Sequence, residues 1–451
     1  MKSINYEKWE PKISFLFKVL FLLYMFSQAI VIFHRTAIVK GFLWCMLLTG
    51  VVVCLLRLYK IRDYIKVKGI IWLVMFVFSY LISIICNRNY GVGADFANLI
   101  ILSLAIFAVY LPEISENKKQ IKKELEIISQ IFLGLMNVSI VISLIMLIIG
   151  YGEMWDRGDY MLKVGIVENR LWGVFTGPNL AAIYAVVSMG LCFYFWRVAR
   201  KKIYYIITIG LDVLYLIFAD SRTGTVCLFV LIAFVSFMLL VRMDNLLKIK
   251  NVIVRSGTCV VVSLLLASFV AMVPTQLQKV YNYAIINIGE ELGDDEDAKV
   301  IKREYDLSGD ISNKRWTIWE SGLEIFESKP ITGVGFHHLK TYAKKELPNT
   351  YMATNTSNLG HMHNEILNIL VSQGILGIIP FILFTITSVV SIFRKYLKTG
   401  GREYKEYTFL IGCLATICVG IMLNEGVLYH YTPNATMFWV ILSYLRYTEI
   451  E

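Results

Sequence analysis

The feature that most constrains this chain is its succession of uninterrupted apolar stretches, each of about twenty residues and so long enough to cross a bilayer as a helix. Read in windows of about 19 residues, they place spans near 13–33, 38–56, 69–86, 95–112, 128–150, 174–196, 203–219, 223–241, 252–273, 375–393, 407–424 and 433–446. The predicted fold class is an all-α polytopic membrane protein with about twelve transmembrane helices and one large extracytoplasmic loop containing short surface helices. Only 17% of the 451 residues are charged and 57% are hydrophobic, which excludes an ordinary soluble domain. The first span has a short polar lead, Met1 to Lys12, and no small-residue cleavage site, so it reads as a retained anchor and not a removable signal peptide.

Basic residues give the orientation. With the N-terminus inside, twenty-six lysines and arginines fall in the inner segments, among them Arg57, Lys60, Lys118, Lys122, Arg197, Lys202, Arg242, Lys405 and Arg446. The short outer loops hold seven: Arg35, Lys40, Arg88, Arg157, Lys163, Arg170 and Arg222. Positive loops stay in the cytoplasm, so both termini are expected there, in a multi-pass protein of the cytoplasmic (inner) membrane. The net charge of +10 is then explained by topology and by contact with anionic lipid, and needs no nucleic acid. Lys18, inside the first span, is expected to snorkel toward the inner surface.

All eight cysteines lie in or beside apolar spans without paired spacing, and so read as buried thiols. No repeat, linker or second domain is evident. The chain is expected to be a single membrane domain, 1–451, with an extracytoplasmic cap at 274–374 and a smaller outer loop at about 151–173. In the long loop, Asp295 and Asp297 belong to an acidic run that is either solvated or a metal pair, and no metal site is assigned. Trp316, Trp319, Leu323 and Phe326 recur at helical spacing behind Asn313, a suitable cap, and before Pro330. They predict a helix lying on the membrane surface. Among polar groups near the spans, Asp212 sits mid-span, a candidate for a helix-to-helix hydrogen bond, while Glu425 and His430 bracket the last outer turn. Glu425 is a candidate functional group there.

The stretch His361 to Gly377, HMHNEILNILVSQGILG, opens the last apolar third. His363 to Gly374 predicts a short amphipathic helix closed by the glycine, with a further span from Ile375. His363 would then lie at a helix N-terminus, where the dipole attracts anions such as phosphate. It could be a helix cap or a general base. Arg315, at the start of the tryptophan helix, and Arg222, in the turn Asp220-Ser221-Arg222-Thr223-Gly224, could each be an interface anchor or a ligand for an anion.

The run His363-Asn364, nine residues, Gly374, two residues, Gly377 resembles the signature of the bacterial O-antigen ligase and O-antigen polymerase family. R-W-T-I-W with K-P-I-T-G-V-G-F, S-R-T-G at 221–224 and N-R-L-W-G-V-F-T-G-P-N-L around Arg170 resemble further family elements, so the resemblance covers roughly residues 165–395.

What the resemblance implies is a membrane glycosyltransferase acting on undecaprenyl-diphosphate-linked glycan at the outer face. It would be metal-independent, inverting and without cofactor. His363, Arg315 and Arg222 would be catalytic; Arg170, Asn364, His361 and Glu425 would bind substrate or shape the pocket. Arginine suits a lipid diphosphate because its planar fork binds phosphate oxygens bidentately and stays charged. Partners would be the lipid-linked donor and acceptor, membrane lipid, a chain-length regulator and a flippase. Abundant Ile, Lys, Tyr and Asn fit a low-GC genome, and so favour a polymerase of repeat units (O-antigen, capsular or exopolysaccharide) over a ligase acting on lipid A core. The reading from another class is a polysaccharide flippase or transporter.

Overall fold

A computed structural model of the chain describes residues 6–34, 36–113, 116–156, 161–198, 202–243, 251–292, 301, 314–355, 360–401, 403–424 and 426–447. Glu425, Asp295, Asp297 and Asn313 lie outside them, as do Arg35 and Arg157. The helices run in order α1 (Tyr6–Ala29), α2 (Ala37–Tyr59), α3 (Ile61–Tyr64), α4 (Ile70–Cys86), α5 (Gly93–Leu104), α6 (Lys118–Ile148), α7 (Pro178–Val198) and α8 (Ile203–Ala219). They continue as α9 (Arg222–Val241), α10 (Val252–Leu292), α11 (Arg315–Ser328), α12 (Leu339–Glu346), α13 (Tyr351–Thr354), α14 (Glu365–Lys398), α15 (Glu403–Leu423) and α16 (Pro433–Arg446).

Among the described residues nine helices are long and apolar enough to cross a membrane, counting α5 together with its π-helical extension Ala105–Tyr110. Two more apolar helices, α4 and α8, are shorter, and α16 has 14 residues. Each of the twelve expected spans thus falls on a helix, and nine meet the length a bilayer requires.

The loops sort to two ends of the bundle. At one end Lys60 pairs with Glu10 (3.0 Å) and Glu113 (2.9 Å), Lys118 with Glu403 and Lys122 with Glu406. Arg446 donates to the Lys68 carbonyl there (2.7 Å) and Arg242 to those of Tyr396 and Thr399. The expected basic segments therefore converge on one end. Lys18 departs from expectation: it is buried and bonds Glu124 at 2.6 Å. A cation already committed to a carboxylate has no need to reach the surface.

One further expectation is corrected. The loop at 151–173 is an antiparallel sheet in the order β1 (Gly152–Asp156), β2 (Met161–Val167), β3 (Arg170–Gly173). The fold is therefore mostly helical but not all-α. β2 and β3 are joined by Glu168 and Asn169, both at positive φ (56° and 53°), the conformation that tight hairpin turns require. Leu162 and Val164 bury against Val31, and the Val31 N–H bonds the Val174 carbonyl (2.8 Å), which docks the sheet on the end opposite the basic one. At the expected loop boundary, residue 274, the helix α10 runs on through Pro274 to Leu292.

Candidate functional site

α14 is two helices. Gly374 breaks it with φ 63° and ψ −155°, a conformation open only to glycine. A break orphans backbone groups on both sides, and the segment after α11 supplies the partners. Ile375 and Leu376 donate to the carbonyls of Pro330 (2.8 Å) and Ile331 (3.2 Å), while the carbonyls of Val371 and Ser372 accept from Val334 (2.9 Å) and Gly335 (3.0 Å). The Pro-Ile-Thr-Gly-Val-Gly loop thus clasps the break. Gly377 has a separate reason: a side chain there would meet Gln373 at 2.4 Å, and Gln373 bonds Ser79 and the Tyr429 hydroxyl, both at 2.6 Å. The spacing from His363-Asn364 to the two glycines is accordingly one short helix, its break and the room for Gln373.

The helix begins at Glu365, two residues later than expected. Asn364 is its N-cap, accepting from Ile366 (3.0 Å) and Leu367 (3.1 Å), and its amide reaches the Met422 carbonyl (3.1 Å). His363 precedes the cap with φ 51°, so it does not cap the helix itself. Its Nδ1 lies 3.3 Å from Asn424 Oδ1. Both members of the pair therefore grip the end of α15. His361 stands edge-on to the His363 ring (centroids 4.3 Å apart) and to His430 (4.9 Å), so three imidazoles share this corner.

Arg315 opens α11. The next turn of that helix carries Trp319, whose indole donates to the Met362 carbonyl (2.9 Å), and side chains four apart lie on one helix face. Arg315, half-buried, is thus one turn from the His361–His363 segment. α11 buries Ile318, Ser321, Gly322 and Ile325, and turns Trp316 (69% exposed) and Leu323 outward, as a surface helix should. The cap position is Lys314, at φ 63°, and makes no side-chain cap bond. Trp319, by contrast, points inward.

Arg222 opens α9 and is exposed. α9 runs antiparallel to α15, with Val235 against Gly412 and Cys227 against Gly420. That register carries Arg222 level with Asn424, the residue that holds His363. The turn before it is fixed by Arg170, which is 8% exposed and donates twice to the Ala219 carbonyl (3.0 and 2.7 Å) and once to Asn179 Oδ1 (3.2 Å). Ser221 donates to the same Asn179 oxygen (3.0 Å) and caps α9 by accepting from Gly224 (3.1 Å). Arg170 therefore acts on the Arg222 turn from beneath.

Other residues at this end escaped the sequence reading. Asp95, fully buried at the start of α5, accepts from Tyr80 (2.7 Å) and the His337 backbone (2.9 Å), and its second oxygen lies 3.0 Å from His338 Nδ1. Asn98 bonds the Tyr429 carbonyl (2.9 Å) and touches His337 Nε2 (3.3 Å). Burial lowers the pKa of His337 below the usual imidazole value, against the pull of Asp95, so it is held neutral. Phe336 stacks on Tyr429 at 4.6 Å and meets His430 edge-on at 5.3 Å, so the clasp loop also walls the histidine corner. His337 and His338 thus anchor that loop. A lone Asp at a span's start carried no motif by which to find it. Asp212 is fully buried beside Ser188, and neither of its oxygens makes an aligned hydrogen bond.

The fold and site define a polytopic membrane protein that gathers a His-Asn pair and two helix-opening arginines at the end opposite its basic loops. Residues 207–382 match the family model described as "O-Antigen ligase", which supports the resemblance to the O-antigen ligase and polymerase family. Among curated proteins, it is 28% identical over 132 residues to an uncharacterized protein of Haemophilus influenzae (strain ATCC 51907 / DSM 11121 / KW20 / Rd). That match covers 29% of this chain and 33% of the relative, so it spans about a third of that protein's length.

Proposed function

We propose that this chain polymerises undecaprenyl-diphosphate-linked oligosaccharide repeat units on the outer face of the cytoplasmic membrane. The observation that carries the reading is the convergence on the end of α15. His363 and Asn364 bond to it, Arg222 is level with it, and Arg315 is one turn from Trp319 and Met362. The orientation rests on the basic loops at the opposite end, which the positive-inside rule assigns to the cytoplasm.

In the proposed reaction an acceptor sugar hydroxyl attacks the anomeric carbon of the donor glycan. The new C–O bond forms as the bond to the lipid diphosphate breaks, its electron pair leaving on the diphosphate oxygen and the configuration inverting. An amide oxygen only accepts, so the contact with Asn424 places the proton of a neutral His363 on Nδ1 and leaves Nε2 to take the hydroxyl proton. Arg222 and Arg315 neutralise the charge that develops on the leaving diphosphate, the part a divalent ion plays elsewhere. Arg170 positions the Arg222 turn.

The test uses the purified full chain in liposomes with lipid-diphosphate-linked repeat units as the sole substrate. The expected product is a ladder of lengths still attached to lipid diphosphate, unaffected by a chelator. Transfer only after lipid A core is added would assign the ligase reaction. Restoration of activity by a divalent ion after chelation would reassign Asp295 and Asp297 as ligands.

A further inference from the structure

We propose that the basic end of the bundle carries a site for one anionic phospholipid of the adjoining leaflet, an acyl chain lying between α7, α8, α9 and α15 and the phosphate between Arg197 and Lys405. A cleft of about 560 Å³ opens there. Its floor is Phe193, Ile209, Leu239 and Phe409, each half-buried, so the protein covers neither face of this apolar strip fully. Trp196 and Tyr404 stand at its mouth, the residue types that settle at the headgroup level.

The charge at the mouth points to one occupant. Arg197 and Lys405 line it, and Lys202 Nζ lies 5.1 Å above the Trp196 ring. Among the described residues none of these three cations has a carboxylate within ion-pair distance. The acids at this end of α15 are turned away: Glu403 pairs with Lys118 and Glu406 with Lys122, both on α6. Arg242, which stacks on Tyr404 at 5.2 Å, is occupied by the carbonyls of Tyr396 and Thr399. An apolar strip beneath three uncompensated cations suits a lipid phosphate with its chain attached, as basic pockets between transmembrane helices on the cytoplasmic side do. A free anion would gain nothing from the floor. The site lies at the opposite end of the bundle from the histidine corner and does not depend on the reaction proposed there.

The experiment follows thermal unfolding of the full chain in neutral detergent with dioleoyl phosphatidylglycerol, dioleoyl phosphatidylcholine or inorganic phosphate added. Phosphatidylglycerol is expected to raise Tm by several degrees, and the other two are not. In the Arg197→Gln/Lys405→Gln variant the apparent affinity for phosphatidylglycerol should fall roughly tenfold or more, with the lipid-free Tm unchanged. As a second measurement, phosphatidylglycerol with brominated chains should quench wild-type tryptophan fluorescence more than that of Trp196→Phe. Equal stabilisation by phosphatidylcholine, a rise with phosphate alone, no rise with any of them, wild-type affinity in the double variant or equal quenching of both proteins would each overturn the proposal. The first of these would mean an unselective lipid coat, the second a free-anion site, and the third a cleft filled by the chain's own residues.

Discussion

His363 Nδ1 lies 3.3 Å from Asn424 Oδ1, and this contact ties the loop before α14 to the end of α15. It separates two roles that the sequence leaves together. Capping belongs to Asn364, whose side chain accepts from two backbone N–H groups, and His363 stands outside the helix. His363→Ala and His363→Asn are therefore both expected to abolish polymer, a loss of about 10²–10⁴ in rate, with expression and donor binding retained. Asn424→Ala should cost less, and Asn424→Asp, which keeps the accepting oxygen, should stay active. A gel of chain lengths at matched expression checks all four. Wild-type ladders from His363→Asn would move the base to His361 or elsewhere.

Arg222→Lys and Arg315→Lys keep charge but lose the planar fork. Each is expected to lower turnover by one to two orders of magnitude, roughly 1.4 kcal/mol per tenfold. The steady-state rate with purified donor decides it. Near-wild-type rates from both would make them surface anchors.

Arg170→Gln should act at a distance. It removes bonds to the Ala219 carbonyl and to Asn179 at a buried position, and charged hydrogen bonds contribute roughly 1.5–3 kcal/mol each. A lower Tm together with a raised KM for donor is expected, because the Arg222 turn loosens. Ser221→Ala, which removes only the cap and the Asn179 contact, should lose about 1 kcal/mol and show the same KM effect more weakly. An unchanged KM in Arg170→Gln would restrict the residue to stability.

Gly374→Ala tests the clasp. The added carbon would meet the Ile331 carbonyl oxygen at 2.4 Å, and the backbone angles there are closed to other residues. A cost on the order of 1–3 kcal/mol from the backbone alone, plus the clash, should appear as a lower Tm and loss of polymer. A fully stable, active Gly374→Ala would show that the break is dispensable.

Orientation is open to a direct check. Reporters fused after Asn349 and after Gly400 should register outside and inside respectively, because the first lies at the histidine end and the second among the basic loops. The reverse result would remove the active site from the face on which the substrate is proposed to lie.

Hydropathy and charge were enough to place the helices and to sort the loops between two ends, since a bilayer forces every spanning segment to satisfy its own backbone and keeps cations on one side. The family signature also pointed to His363, Arg222 and Arg315. Only the tertiary structure decided why the signature has its spacing. The orphaned groups at Gly374 find partners more than 35 residues upstream in the clasp loop, and the space at Gly377 serves a Gln373 that bonds α4. Nor could periodicity find Asp95, Asn98 or Asn424, single polar residues whose partners His337, Tyr429 and His363 come from distant segments. The sheet at 152–173 was missed because short strands between polar turn residues give little signal until Val31 and Val174 dock them. Local pattern sets which segments enter the membrane, whereas hydrogen bonds across long sequence separations set which side chains meet, and those partners are chosen by packing.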